Sequence, residues 1–289
     1  MKSILVGVAF GMLAACATAS GHAGASPDDA RFRAIYENEW AWRNTFEPQW
    51  DAATPDDRLP ATWGRVDPAA QAEQLVHMKD GIAKLDALDM KAMSPEEQIN
   101  LAIYRDQIEV RMARIQFREY EKPLNADTTF WGNVAGATPK GFHSEAQARS
   151  WIALLNDVPR FFADETANMR LGLARGFTPP RVTLEGRAES ISAIYEGKTP
   201  EQSAFYAPFL SLPASIPAGA RLTLQAEAKA AIADKVFPAY RALLPYFRDE
   251  YLPRTATDIA ATKLPDGEAY YAAQIREFTT LKMSPEEIH

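Results

Sequence analysis

Tyr270, Tyr271, Gln274, Arg276, Thr279 and Thr280 fall in one short stretch, "AYYAAQIREFTT". Two phenols, an amide, a guanidinium and two hydroxyls at that spacing could orient a peptide carboxylate or carbonyl by hydrogen bonds. An amphipathic helix with an ordinary polar face would carry the same pattern, and residue chemistry alone favours that plainer reading. The phrase "MSPEEIH" follows and ends in His289.

Other chemistries find less support. The histidines are His22, His77, His143 and His289, so no two lie within five residues and no His-x-x-x-His pair exists. A zinc peptidase motif of that kind is absent. His77 lies beside an apolar helical stripe and reads as a surface or core-edge residue. His143, in "HSE", sits at a helix start where capping by Ser144 explains the local pattern. No Gly-x-Ser-x-Gly nucleophile elbow occurs. "WGNVAGATPKG" lacks the Gly-Lys-Ser/Thr ending of a phosphate loop. Trp40, Trp42 and Trp50 could line a ligand groove, but the steps of four from Phe32 to Tyr36 to Trp40 point to core packing.

The elements that would position these residues read as helix after helix. A serine or threonine, then proline, then acidic residues is a helix start: the hydroxyl accepts an orphan N–H, and proline needs no partner at the first position. A glutamate at the third helical position closes the box and faces the positive end of the dipole. The phrase recurs at Ser26, Thr54, Ser94, Thr199 and Ser284. After Ser94 it opens a long helix with Leu101, Tyr104, Ile108, Met112 and Ile115 on one face. Asp67 and Pro68 open another, with Leu75, Met78, Ile82 and Leu85 buried. Residues 122–142 and 206–220 read as irregular loops. Ser144 with Gln147 starts one helix, and Asp157 with Pro159 a second that stops at Gly176. Arg221 to Tyr251 reads as a long helical region bent at Pro238 and Pro245, and Glu268 to Thr280 as the last complete helix. The expected architecture is mainly α, a multi-helix array with long irregular loops. No alternating strand of useful length appears.

The chain has 289 residues, 47% of them apolar, and a net charge of −7. With no basic run or basic-aromatic patch, nucleic acid is not an expected partner. At the N-terminus, Lys2 precedes an apolar stretch from Ile4 to Ala15 that is too short to span a bilayer and has the form of an export signal. It closes on "LAAC", where Cys16 is the one cysteine of the chain. This resembles the lipobox of bacterial lipoproteins, whose cysteine is acylated and becomes the mature N-terminus. Cleavage after Ala19 is the rival reading. Residues 1–15 are thus expected to be an export signal, 16–26 a tether, and 27–289 the helical body. The protein is expected on the periplasmic side of a bacterial membrane, held by a lipid at Cys16.

"DGEAYYAAQIREFTTLKMSPEEIH", "NMRLGLARGFTPPRVTLEG" and "YRALLPYFRDEYLPRT" together resemble the domain-of-unknown-function-885 family, exported bacterial proteins grouped with zincin-like metallopeptidases. The resemblance covers the mature chain but about half of the family's usual length. It implies that "EEIH" starts a long helix in full-length members, with a His-Glu segment ending in Pro-Gly-His-His further on. There two histidines and a carboxylate would bind zinc, and the glutamate would act as general base on a metal-bound water. None of those positions exists here, so the resemblance implies an N-terminal half that binds no zinc and is inactive on peptides as it stands. Zinc is expected only for a full-length member. Tyr270, Tyr271, Arg276, Thr279, Thr280 and His289 match the family block and are the candidate substrate-binding residues. The competing expectation is a non-catalytic peptide-binding helical module of the cell envelope, using the irregular segments as its surface.

Overall fold

A computed structural model describes residues 26–46 and 54–288. Cys16, His22, Trp50 and His289 lie outside the described residues, as do the export signal and most of the tether. Among the described residues the fold is all-helical, and the only β pairing is two isolated bridges, Leu124 with Thr129 and Pro180 with Ala256. None of the described helices is long and apolar enough to cross a membrane.

The first three helices, α1 (Pro27–Phe46), α2 (Pro68–Asp86) and α3 (Pro95–Gln116), pack around Phe32, Leu85, Met93 and Leu101. Their starts follow the grammar of the sequence. The Ser26 hydroxyl accepts the Asp29 N–H, and the Asp29 carboxylate accepts the Ser26 N–H, each at 3.1 Å. At Ser94 the reciprocal arm is borrowed from another helix: Asp29 accepts the Ser94 N–H at 3.0 Å, which ties the start of α3 to that of α1. Glu97 is thereby free to accept from Arg33. The phrase at Thr54 gives only a single 3₁₀ turn, Asp56–Arg58, and the box at Thr199 another, Pro200–Gln202. The aromatic stripe of α1 is shorter than expected. Phe32 is buried and Tyr36 packs against it, but Trp40 is 60% exposed, with the Arg43 guanidinium 4.9 Å from its ring.

The larger core begins at Leu124. Within the expected loop, Thr129 caps a short helix α4 (Phe130–Gly136) that buries Phe130, Trp131 and Val134. The glycines of that stretch read as breakers, yet the apolar residues between them fit one helical turn against the core. Next comes α5 (Glu145–Arg175), capped by Ser144 and stopped by Gly176 at φ 78°. Asp157–Val158–Pro159 does not start a new helix, because α5 runs straight through. Leu154, Leu155, Val158 and Phe162 bury on both sides of the proline, and that burial offsets the roughly 3 kcal/mol a proline costs inside a helix. Asp157 instead accepts the Trp63 N–H and the Arg160 guanidinium.

After α6 (Arg187–Ser192), the segment expected to be irregular contains a 3₁₀ helix, Ala204–Leu210, and then enters α7 (Ala218–Ala231). A π-helical turn, Ile232–Val236, joins α7 to α8 (Phe237–Pro245), and a second, Tyr246–Tyr251, follows. The expected bends at Pro238 and Pro245 thus take the form of widened turns. Phe237 N–H reaches Ile232 and Leu252 N–H reaches Phe247, each five residues back. Two short helices close the described chain, α9 (Gly267–Thr279) and α10 (Pro285–Ile288). At α10 the capping box is complete, with Ser284 N–H bonded to Glu287 at 2.7 Å.

Gly172 shows how tightly α5 meets the segment before α4. A β-carbon there would lie well inside contact with the Glu121 carbonyl oxygen and 2.8 Å from that of Phe177. Both obstacles are backbone and cannot rotate away. Gly172→Ala is therefore expected to destabilise by about 1–3 kcal/mol, although alanine is the better helix former by about 0.5–1 kcal/mol. Urea unfolding followed by circular dichroism reads this directly, and a stabilised variant would contradict the packing.

Candidate functional site

The stretch from Tyr270 to Thr279 is the body of α9, and its register decides which side chains can act together. Tyr270, Tyr271, Gln274, Ile275 and Phe278 follow a helical spacing and line a cleft of about 390 Å³. Its other walls are Thr178 and Pro180, the segment around Asp258–Leu264, and Ile288 of α10. That segment closes down on the start of α9 because Gly267 has no side chain. A β-carbon there would meet the Ala261 carbonyl oxygen at 2.7 Å, and the Thr262 carbonyl closer still. At the other end, Thr280 adopts φ 60° and its N–H bonds back to Arg276, ending the helix.

The floor of the cleft comes from the chain before α4. Glu121 is buried and receives the Arg175 guanidinium at 2.6 Å, while Leu124 anchors in the large core. Lys122 is thereby held between them. Its ammonium donates to the Tyr270 hydroxyl at 3.1 Å and lies 5.1 Å from the rings of both Phe177 and Tyr270. Tyr270 is buried, with Phe117 and Phe177 edge-on to it at 5.6 and 5.3 Å. Burial pushes its hydroxyl well above the usual phenol range, and Glu119 adds to the shift. Burial lowers the Lys122 ammonium, with Glu119 working the other way. Glu119 itself is raised by burial and then by Glu277, and it accepts the Gln274 amide at 2.7 Å.

The candidate residues therefore separate. Tyr270, Tyr271 and Thr279 meet on the cleft. Arg276 lies on the face of α9 that packs against α3, where Asp106 and Glu109 take its guanidinium at 2.7 and 2.6 Å. Beside it Arg114 pairs with Glu277. The arginine is thus a structural clamp between two helices and cannot meet a ligand in the cleft. Thr279 donates to the Ile275 carbonyl and accepts the Leu281 N–H, while Thr280 donates to the Thr279 carbonyl. His289 lies outside the described residues. The cation that does line the cleft is Lys122, which sequence reading passed over inside an apparent loop.

Zinc, the metal that the resemblance implies, does not fit the residues in view. Among the described residues, no three His, Cys, Asp or Glu side chains come together to hold a metal ion. His77 stacks on Trp42 at 3.6 Å, and burial lowers its pKa. His143 is exposed at the start of α5, with its backbone N–H on Gln147.

With this geometry in view, similarity to known proteins can be placed. Residues 51–289 match a family described as a bacterial protein of unknown function, DUF885. The chain belongs to that family. No curated protein matches it. Among solved structures, the putative lipoprotein from Colwellia psychrerythraea superposes with a TM-score of 0.68 at 14% identity, over 91% of this chain and 48% of that one. The two share a fold, and this DUF885 chain spans about half the length of that protein.

Proposed function

We propose that this DUF885 protein is exported, held at a bacterial membrane through a lipid on Cys16, and that its helices form the peptide-holding portion of a metallopeptidase-like protein. The cleft beside α9 carries the reading. It joins apolar walls to a few fixed polar groups, the arrangement that ligand sites share. The lipobox-like "LAAC" supports the anchor, as does the description of the Colwellia protein as a lipoprotein. No hydrolytic step is assigned to the described residues, since the zinc-holding set does not fit them. On this reading the purified protein binds apolar peptides, leaves them uncut, and retains less than one zinc per chain after dialysis. Peptide cleavage that zinc restores and a chelator abolishes would contradict it.

A second reading, a self-contained binding module, has one observation in its favour. Trp131, Trp151, Tyr240, Phe247 and Tyr251 are fully buried in a single core spanning Leu124 to Tyr251. A module of this kind unfolds in one cooperative transition as a monomer. A portion that needs further chain binds hydrophobic dye in its native state, and the exposed Phe278, Ile259, Leu281 and Ile288 beside the cleft are where the dye would go.

A further inference from the structure

The cleft's one cation among the described residues is Lys122, and its surroundings restrict what it can meet. An ammonium has three N–H donors. One is used on the Tyr270 hydroxyl, which fixes the side chain over two aromatic rings. Glu119, the carboxylate whose charge acts on it, is linked to it through the Tyr270 hydroxyl, lines the neighbouring cleft between α3 and α9, and also accepts the Gln274 amide. Asp258, the acidic residue at the mouth, is exposed, and its carboxylate accepts the Ala260 N–H at 2.9 Å, which ties it to its own loop. Around the lysine the walls are Pro180, Ile259, Leu264, Ile275 and Phe278. Ile259 and Phe278 stand 74% and 81% exposed at the rim, next to a half-buried positive charge.

We propose that this cleft binds the carboxylate end of an apolar ligand, with Lys122 as the cation that takes the carboxylate and Ile259 and Phe278 closing on the apolar group beside it. The ligand class is the C-terminal residue of a short apolar peptide, and a medium-chain fatty acid shares its chemistry. This rests on the peptide-holding reading above and adds the end of the peptide that is recognised. A half-buried ammonium beside a mainly apolar lining gains from an anion, because a charge-assisted contact is stronger away from bulk water. A C-terminal amide offers no charge, so the ammonium gains nothing beyond what Glu119 already supplies. Burial disfavours the charged lysine, and an arriving carboxylate works against that shift, as Glu119 already does. Tyr270 is a positioning residue here, holding the ammonium at the cleft floor.

Isothermal titration calorimetry with N-acetyl-Ala-Ala-Phe as the free acid, the same peptide as its C-terminal amide, and decanoate tests this on the wild type and on Lys122→Met and Tyr270→Phe. The free acid is expected to bind roughly tenfold or more tightly than the amide. The ratio falls to near one in Lys122→Met, at unchanged helical content. Tyr270→Phe weakens the acid more than the amide, which keeps the test open if Lys122→Met fails to fold. Equal affinity of acid and amide in the wild type overturns the inference and leaves peptide holding intact. Decanoate binding that depends on Lys122, with neither peptide bound, supports the carboxylate site, assigns it to a lipid source and removes the peptide reading. Absence of binding by all three overturns the inference.

Discussion

Replacing Trp151 by alanine is expected to lower the stability of the folded protein by about 3–5 kcal/mol. The indole has no exposed surface, lies in the second turn of α5, and donates its N–H to the Phe205 carbonyl at 3.2 Å. Trp63 meets it edge-on at 6.4 Å, and Phe205 lies nearly parallel at the same distance. Removing it opens a cavity between α5 and the 3₁₀ helix at Ala204–Leu210 and leaves a buried carbonyl without its donor, so two losses add. Trp151→Phe keeps much of the volume and should cost less than the alanine variant. Urea denaturation at constant slope gives both numbers. A loss below about 1 kcal/mol for the alanine variant would mean that α5 is not the centre of the core.

A second large effect is expected from Glu165, which is buried on the same helix. Burial raises its carboxyl from 4.5 to about 8; a hydrogen bond from Asn168 opposes this and the charge of Asp164 adds to it. Between those two pH values the folded chain holds a proton that the unfolded chain has released. Stability therefore falls as pH rises from about 4.5 to about 8 and levels off above that. At 1.36 kcal/mol per pH unit the full span has an upper limit of about 5 kcal/mol. Glu165→Gln, which stays neutral, should match the wild type near pH 5, exceed it in stability near pH 8.5, and lose this part of the slope. Urea midpoints of both proteins across that range decide it. A variant that is weaker by the same amount at every pH would show that the carboxylate is charged and well partnered when folded.

Much of the fold was legible because helix starts are written locally. Asp67 before Pro68, Ser94 before Pro95 and Ser144 three before Gln147 each satisfy an orphan N–H with their own side chain, and each begins a helix where read. Long-range packing overrode local signals elsewhere. Asp157–Val158–Pro159 has the form of a start, but the apolar residues on both sides keep α5 continuous. The glycines around Trp131 have the form of a loop, but its indole needs burial and its N–H finds Ser190, 59 residues away. Trp40 fits the stripe of α1 by spacing, but steps of four drift round a helix of 3.6 residues per turn, so Trp40 is exposed while Trp42 meets His77 of α2.

The cleft was legible on one side only. Tyr270, Tyr271 and Thr279 share the cleft because helical spacing puts them there. Arg276 looked like the ligand's cation because it is close to them in sequence. Its partners, Asp106 and Glu109, lie 170 and 167 residues earlier, and only the fold reveals that they consume it. Lys122 enters the cleft from 148 residues before Tyr270, for the same reason out of reach of any local pattern.

The central claim is that ligands meet this protein at the cleft beside α9. Hydrogen–deuterium exchange with and without saturating N-acetyl-Ala-Ala-Phe tests it most directly. The account predicts slowed exchange in α9, in the segment 258–264 and around Lys122, with α7 and α8 unchanged. Protection confined to the helices α1 to α3, or to α7 and α8, would contradict it.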